Sequence, residues 1–189
     1  MPGISAADWD STLVAAAVDG AASAATTATS LLPAAARLTI NPNFFSRAGQ
    51  MLRVRATGRV SNIVTTPGTL TLALALGPTS NIAAWSSGAI SLNTTAKTNV
   101  SWDLSVTLTL RAFGSGTSSN FMGIGTWTSE SVVGAAAGSA LPMLCPASAP
   151  AVGTGFDSTV TNILDLQGTF SLAGNSITCH QFEVEAINS

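Results

Sequence analysis

The sequence predicts an all-β chain, an antiparallel β-sandwich of jelly-roll type, and three observations carry that reading. From Leu31 onward, apolar and polar residues alternate with a period of two, the period of an extended chain whose side chains point to opposite faces. Clusters of Gly, Pro, Asn and Ser separate the alternating segments. No segment after residue 30 shows a convincing amphipathic-helix pattern. About seven to nine strands with such turns between them call for two packed antiparallel sheets.

The first 30 residues read differently. Ser5-Ala6-Ala7-Asp8 has the form of a capping box with Asp in place of Glu or Gln, and it predicts a short helix over 5–19 with Trp9 and Leu13 along one face. The run "AASAATTATS" at 21–30 is a low-complexity connector. Residues 1–30 are therefore expected as an arm and residues 31–189 as the sandwich domain. The arm either frays as a tail or docks on a neighbour with Trp9 as its anchor.

In the domain, "MLRVRATGRV" (51–60) places Leu52, Val54, Ala56 and Val60 on one face and Arg53, Arg55, Thr57 and Arg59 on the other. "GTLTLALALG" (68–77) sets Leu70, Leu72, Leu74 and Leu76 against Thr69, Thr71, Ala73 and Ala75. "WDLSVTLTLRAFG" (102–114) turns Trp102, Leu104, Val106, Leu108 and Leu110 inward, and "NILDLQGTFSLAG" (162–174) groups Leu164, Leu166, Phe170 and Leu172. "ITCHQFEVEAI" (177–187) places Phe182, Val184 and Ala186 opposite Glu183 and Glu185. The segments 80–92 and 120–134 are expected to add two or three short strands, the second broken at Gly123 and Gly125.

The strand at 68–77 would also suit a lipid-facing barrel. Against that stand the absence of Tyr, since barrels carry aromatic girdles, and an N-terminus without a basic region or uninterrupted apolar stretch for export. No run approaches the roughly 18 apolar residues of a membrane helix. The expectation is a protein made and kept in a cytoplasm, with no membrane partner.

Charged residues make up 8% of the chain, against about 25% in typical soluble domains. Ser, Thr, Ala and Gly replace them. With a net charge of −2 such a surface repels copies of itself weakly, so it is expected to be covered by itself or by a partner. A pI near 5.1 argues against nucleic acid. Cys145 and Cys179 are too few for a disulfide scaffold and default to buried free thiols, with a bridge as the alternative.

Catalytic and cofactor signatures are weak. His180, the one histidine, lacks a Gly-x-Ser-x-Gly nucleophile elbow elsewhere in the chain, so it reads as a half-buried strand residue rather than a triad base. A zinc site from Cys145, Cys179 and His180 fails because adjacent strand residues point to opposite faces. The glycines of "FGSGTSSN" (113–120) lack phosphate-loop spacing and read as a hairpin turn. Glu183 and Glu185 share one strand face, whereas glycosidase acids sit across a cleft. No enzyme activity, metal or cofactor is expected. The arginine face of Arg53, Arg55 and Arg59 has two readings: a patch for a phosphate, a sialic acid or an acidic protein surface, or cross-strand pairing with Glu183 and Glu185, which is favoured.

The run from "SLLPAAARLTINPNFFSRAGQMLRVRATGRV" through "PGTLTLALALG" to "WDLSVTLTLRAFGSG" resembles virion-surface proteins of tailed bacteriophages. The matching positions are Pro42, Asn43, Phe44, Phe45, Gly49, Arg53, Gly58, Pro67, Gly68, Gly77, Trp102, Leu104, Leu108, Arg111 and Gly114, within residues 31–115. The resemblance implies a jelly-roll module, generally trimeric, displayed on the virion as a capsid decoration, head-fibre or tail-associated protein. Under it, the arm with Trp9 and Leu13 becomes the attachment element to the major capsid protein or another virion protein, and the Arg and Glu side chains a possible contact face. A second expectation is a receptor- or glycan-binding module of a fibre, with Trp85 or Trp127 exposed to a sugar.

Overall fold

The structure, a computed structural model, describes residues 11–16 and 18–187. Its strands are, in chain order, β1 (Ser11–Ala15), β2 (Thr29–Ser30), β3 (Leu38–Ile40), β4 (Met51–Asn62), β5 (Thr69–Leu76) and β6 (Ile82–Ser86). There follow β7 (Ile90–Ser91), β8 (Lys97–Ala112), β9 (Asn120–Ser129), β10 (Leu141–Cys145), β11 (Asn162–Phe170) and β12 (Ser176–Ile187). They form a β-sandwich of two antiparallel sheets. One runs β1-β12-β4-β8-β9-β10; the other runs β2-β11-β5-β6, with β3 added on β11 and β7 on β5.

The pairing is nested. After β4, the chain crosses to the second sheet for β5, β6 and β7 and returns as β8 directly beside β4; β11 and β12 then come back to pair with β5 and β4. Period-two patterning makes this possible, because each long strand delivers a row of large side chains to one side. Leu52, Val54, Ala56 and Val60 of β4, Leu70 to Leu76 of β5, and Trp102 to Leu110 of β8 are all buried in one core cluster. Trp85 of β6 donates its indole N–H to the Gly123 carbonyl of β9 at 3.1 Å, tying one sheet to the other through the core. Gly123 is where the indole lies: a Cβ there would sit 2.4 Å from Trp85 Cδ1.

Four expectations are corrected. Residues 11–15, placed in a helix, form β1 at the edge of the first sheet, with Thr12 opposite Glu185 and Val14 opposite Val184. Ser11, Thr12 and Val14 are weaker helix formers than the alanines that follow, and the open edge of β12 offers the inward backbone groups of this segment hydrogen-bond partners. The helix's first residues and Trp9 lie outside the described residues. The connector at 21–30 is hydrogen-bonded to the sandwich: Ser23 bridges Ile177, Phe170 N–H donates to the Ala25 carbonyl, and β2 pairs with β11. Leu172, grouped with the inward residues, is 45% exposed because β11 ends at Phe170 and the chain turns. Trp85 and Trp127, one or other of which the glycan-binding alternative needs at the surface, are buried at 3% and 0%.

In β12 a bulge lies between Cys179 and Gln181, opposite Gly58 and Thr57. The extra residue, His180, resets the alternation, so that Ile177 and Cys179 and then Phe182, Val184 and Ala186 all reach the core.

Asp165 of β11 is buried, accepting a hydrogen bond from Ser30 Oγ at 2.7 Å with Arg37 Nε 3.6 Å from its other oxygen. Burial pushes its carboxyl up in spite of both partners. A folded-state pKa above the unfolded one means the native chain holds the proton more tightly. Its contribution is therefore favourable below the ordinary carboxylate range and is lost as pH rises through the folded value. Asp165→Asn, which keeps an acceptor for Ser30 and removes the buried charge, is expected to melt at or above the wild-type temperature at neutral pH and to lessen the drop between about pH 4 and pH 7. Melting curves at the two pH values check this; a marked loss at neutral pH would mean that the Arg37 pairing outweighs burial.

Candidate functional site

The outward face of the first sheet carries most of the chemistry, and strand register sets its layout. Residues opposite one another across paired strands share a face, so two rows can be followed across the sheet. One is Thr12, Glu185, Arg53, Thr107 and Ile124; the next is Ala15, Glu183, Arg55, Ser105, Thr126 and Leu144. The face is thus graded. Along these two rows charges lie at the β12–β4 end, hydroxyl groups in the middle, and apolar side chains at the β9–β10 end, where Ile124 is 50% and Leu144 61% exposed; in the neighbouring row Asp103 of β8 adds a charge between Thr57 and Thr128.

At the charged end, Arg53 Nη1 donates to Glu185 Oε2 at 2.9 Å within one chain. Both side chains are part-exposed, so the pair contributes at most about 1 kcal/mol. Arg55 stands opposite Glu183 and Arg59 opposite Thr178, and among the described residues neither arginine makes an ion pair. Two adjoining depressions of about 450 and about 610 Å³ lie here and share Thr57, Asp103 and Gln181. The first is lined by Arg55 with Asp103 and Glu183, one guanidinium against two carboxylates, which leaves no positive excess for a phosphate.

His180, at the bulge, has Nδ1 3.0 Å from Asp19 Oδ2, an acid that orients the ring toward the N-terminal edge. Leu13 is half-buried and packs on its own core, beside a hollow that it lines with Leu38, Ile40 and Phe44. Cys145 and Cys179 are free and buried; desolvation raises their thiols to about 11 and about 12, which keeps them protonated and unreactive at neutral pH. Among the described residues, no group of three or more His, Cys, Asp or Glu is placed to hold a metal ion, and no helix is long and apolar enough to cross a membrane.

A second polar assembly, which the sequence analysis missed, closes one end of the sandwich. Lys97, the chain's sole lysine, begins β8 and is buried; its Nζ lies 2.6 Å from Glu130 Oε1. That contact holds the Glu130 carboxyl below its ordinary range. Directly opposite Lys97 across the β4–β8 pairing is Asn62, also buried. Its Nδ2 donates to the carbonyls of Asn93 at 2.7 Å, Thr95 at 3.1 Å and Ile63 at 3.2 Å, and its Oδ1 accepts a short hydrogen bond from Ser131 Oγ. Asn93 Nδ2 reaches the Glu130 and Ala135 carbonyls. The consecutive residues Glu130 and Ser131 thus touch Lys97 and Asn62 respectively. A lone lysine opening a strand in so charge-poor a chain was the one available signal.

Comparison with family models, curated proteins and solved structures returned no match to this chain.

Proposed function

We propose that this chain is a non-enzymatic structural protein of a tailed-phage particle: a trimeric capsid decoration protein, assembled in the host cytoplasm, that stabilises the head by bridging capsomers of the major capsid protein. The observation that carries the reading is the graded outer face of the first sheet. Beyond Asp103, its β8–β10 half offers Ser105, Thr107, Thr126, Ile124 and Leu144, an uncharged patch that water solvates poorly and a copy or a shell protein can cover. Interfaces are depleted of charge at their centres in the same way. Small stabilising contacts repeated over many copies would add up on a shell. The resemblance to virion-surface proteins supports the same reading. The glycan-binding alternative loses its aromatic platform, since Trp85 and Trp127 lie in the core.

Light scattering of the purified protein should give three times the 19.0 kDa chain mass. Ile124→Glu with Leu144→Glu, both at exposed positions that the fold tolerates, should weaken self-association by at least about tenfold and leave the melting curve of the domain in place, since a charge buried at an interface is costly. A monomer at tens of micromolar would overturn the trimer. Particles sedimented from a producing lysate should carry the chain in fixed ratio to the shell protein; its absence from them would overturn the virion assignment.

A further inference from the structure

The assembly at the end of the sandwich has the parts of a self-modifying site. Four features meet there: a buried primary amine, a carboxylate in contact with it, a buried carboxamide opposite it in strand register, and a hydroxyl on that carboxamide's oxygen. We propose that Lys97 and Asn62 join in an intramolecular isopeptide bond, with Glu130 as proton carrier and Ser131 as the donor that stabilises the oxyanion.

Each group is placed for its part. Partners directly opposite across an antiparallel pair have Cβ atoms about 5 Å apart, well within the span of a lysine side chain. Glu130 Oε1, at 2.6 Å from Nζ, is the acceptor for the proton that the ammonium must shed before it can act as a nucleophile. Ser131 Oγ already donates to Asn62 Oδ1, where negative charge gathers when Cγ is attacked. The three backbone carbonyls that hold Asn62 Nδ2 fix the carboxamide plane. Asn62, Lys97 and Ser131 are buried, which limits the water that would compete as a nucleophile, while Glu130 keeps 22% of its side chain exposed as the route for protons and ammonia to solvent.

The step balances without a co-reactant. Lys97 passes a proton to Glu130, and its neutral Nζ attacks Cγ of Asn62. The Cγ–Nδ2 bond then breaks as Glu130 returns the proton to the departing nitrogen. Nζ loses its second proton as the amide forms, and the nitrogen leaves as ammonium. One ammonium and one carboxamide become one secondary amide and one ammonium ion. The bond would tie the end of β4 to the start of β8, closing the excursion through β5, β6 and β7 into a covalent loop.

The test is the mass of the denatured wild-type chain and its tryptic map. A chain lighter by one ammonia, about 17 Da, is expected. Trypsin should leave residues 60–111 as one peptide, because an acylated Lys97 is no longer cut. A full-mass chain overturns the proposal. So does a light chain still cut after Lys97, which would reveal a cyclised asparagine instead. Glu130→Gln should restore full mass and cleavage after Lys97. If that variant does not fold, Ser131→Ala under the same map should slow the mass loss by at least about tenfold in protein followed from synthesis, as removal of one oxyanion donor does elsewhere. An unchanged rate would remove Ser131 from its role.

Discussion

Gly58→Ala is expected to cost about 4 kcal/mol of folding stability, the sum of core overpacking and a broken buried hydrogen bond. Gly58 faces the core between Cys179 of β12 and Trp102 of β8. The missing side chain lets the Trp102 indole lie across β4 and donate to the Thr178 carbonyl at 3.2 Å, next to the bulge. A methyl group at 58 would sit 1.9 Å from that carbonyl oxygen and 3.0 Å from Trp102 Cε2. The indole and the β12 backbone would both have to move, and the Trp102 N–H would lose its partner in the core. Urea unfolding, with tryptophan fluorescence as the probe, reads the effect. A loss below about 1 kcal/mol would show that β12 shifts freely at its bulge and that the packing around Gly58 is not what holds it.

Phe121→Ala is expected to lose about 4 kcal/mol, in the range of large buried aromatic truncations. Phe121 is fully buried and stacks on Phe156 with ring centroids 5.4 Å apart; Phe45 meets both edge-on, at 5.2 and 5.8 Å. These rings come from β9, from the loop before β4 and from the loop before β11. The cluster therefore anchors two long irregular segments that have few ladder hydrogen bonds of their own, among them the pairing of Ser119 with Phe156. Beyond the fall in unfolding midpoint, limited proteolysis should open the 146–160 segment before the rest of the domain. Simultaneous loss of all segments would mean that the cluster belongs to the global core rather than to the loops.

Much of the fold was legible because each long strand carries its own alternation. The inward rows of β4, β5 and β8 could be named residue by residue from consecutive positions, as could the outward Arg53 and Arg55. The same reasoning could have placed Trp127, since Phe121, Gly123, Gly125 and Trp127 alternate inward along β9; the glycines obscured that row by contributing no apolar side chain. The helix expected over 5–19 fails at 11–15 for a different reason. Local propensity spans only tenths of a kcal/mol per residue there, while an open sheet edge decides the outcome through hydrogen bonds to residues some 170 positions away.

The candidate sites divide in the same way. The Arg and Glu faces were visible as patterns, but whether they meet depended on register: Arg53 finds Glu185, whereas Arg55 and Arg59 are left without ion pairs among the described residues. The Lys97, Asn62, Glu130 and Ser131 assembly was invisible, because its members come from three separate stretches and share no motif. By itself the sequence determined that this chain is a charge-poor β-sandwich, and it determined which side chains of the long strands are inside, because alternation is a property of neighbouring residues. Only the tertiary structure decided which strands pair, where β12 takes its extra residue, and which buried polar groups meet. Those depend on contacts between residues far apart in the chain, settled by the burial and hydrogen bonding of the whole domain.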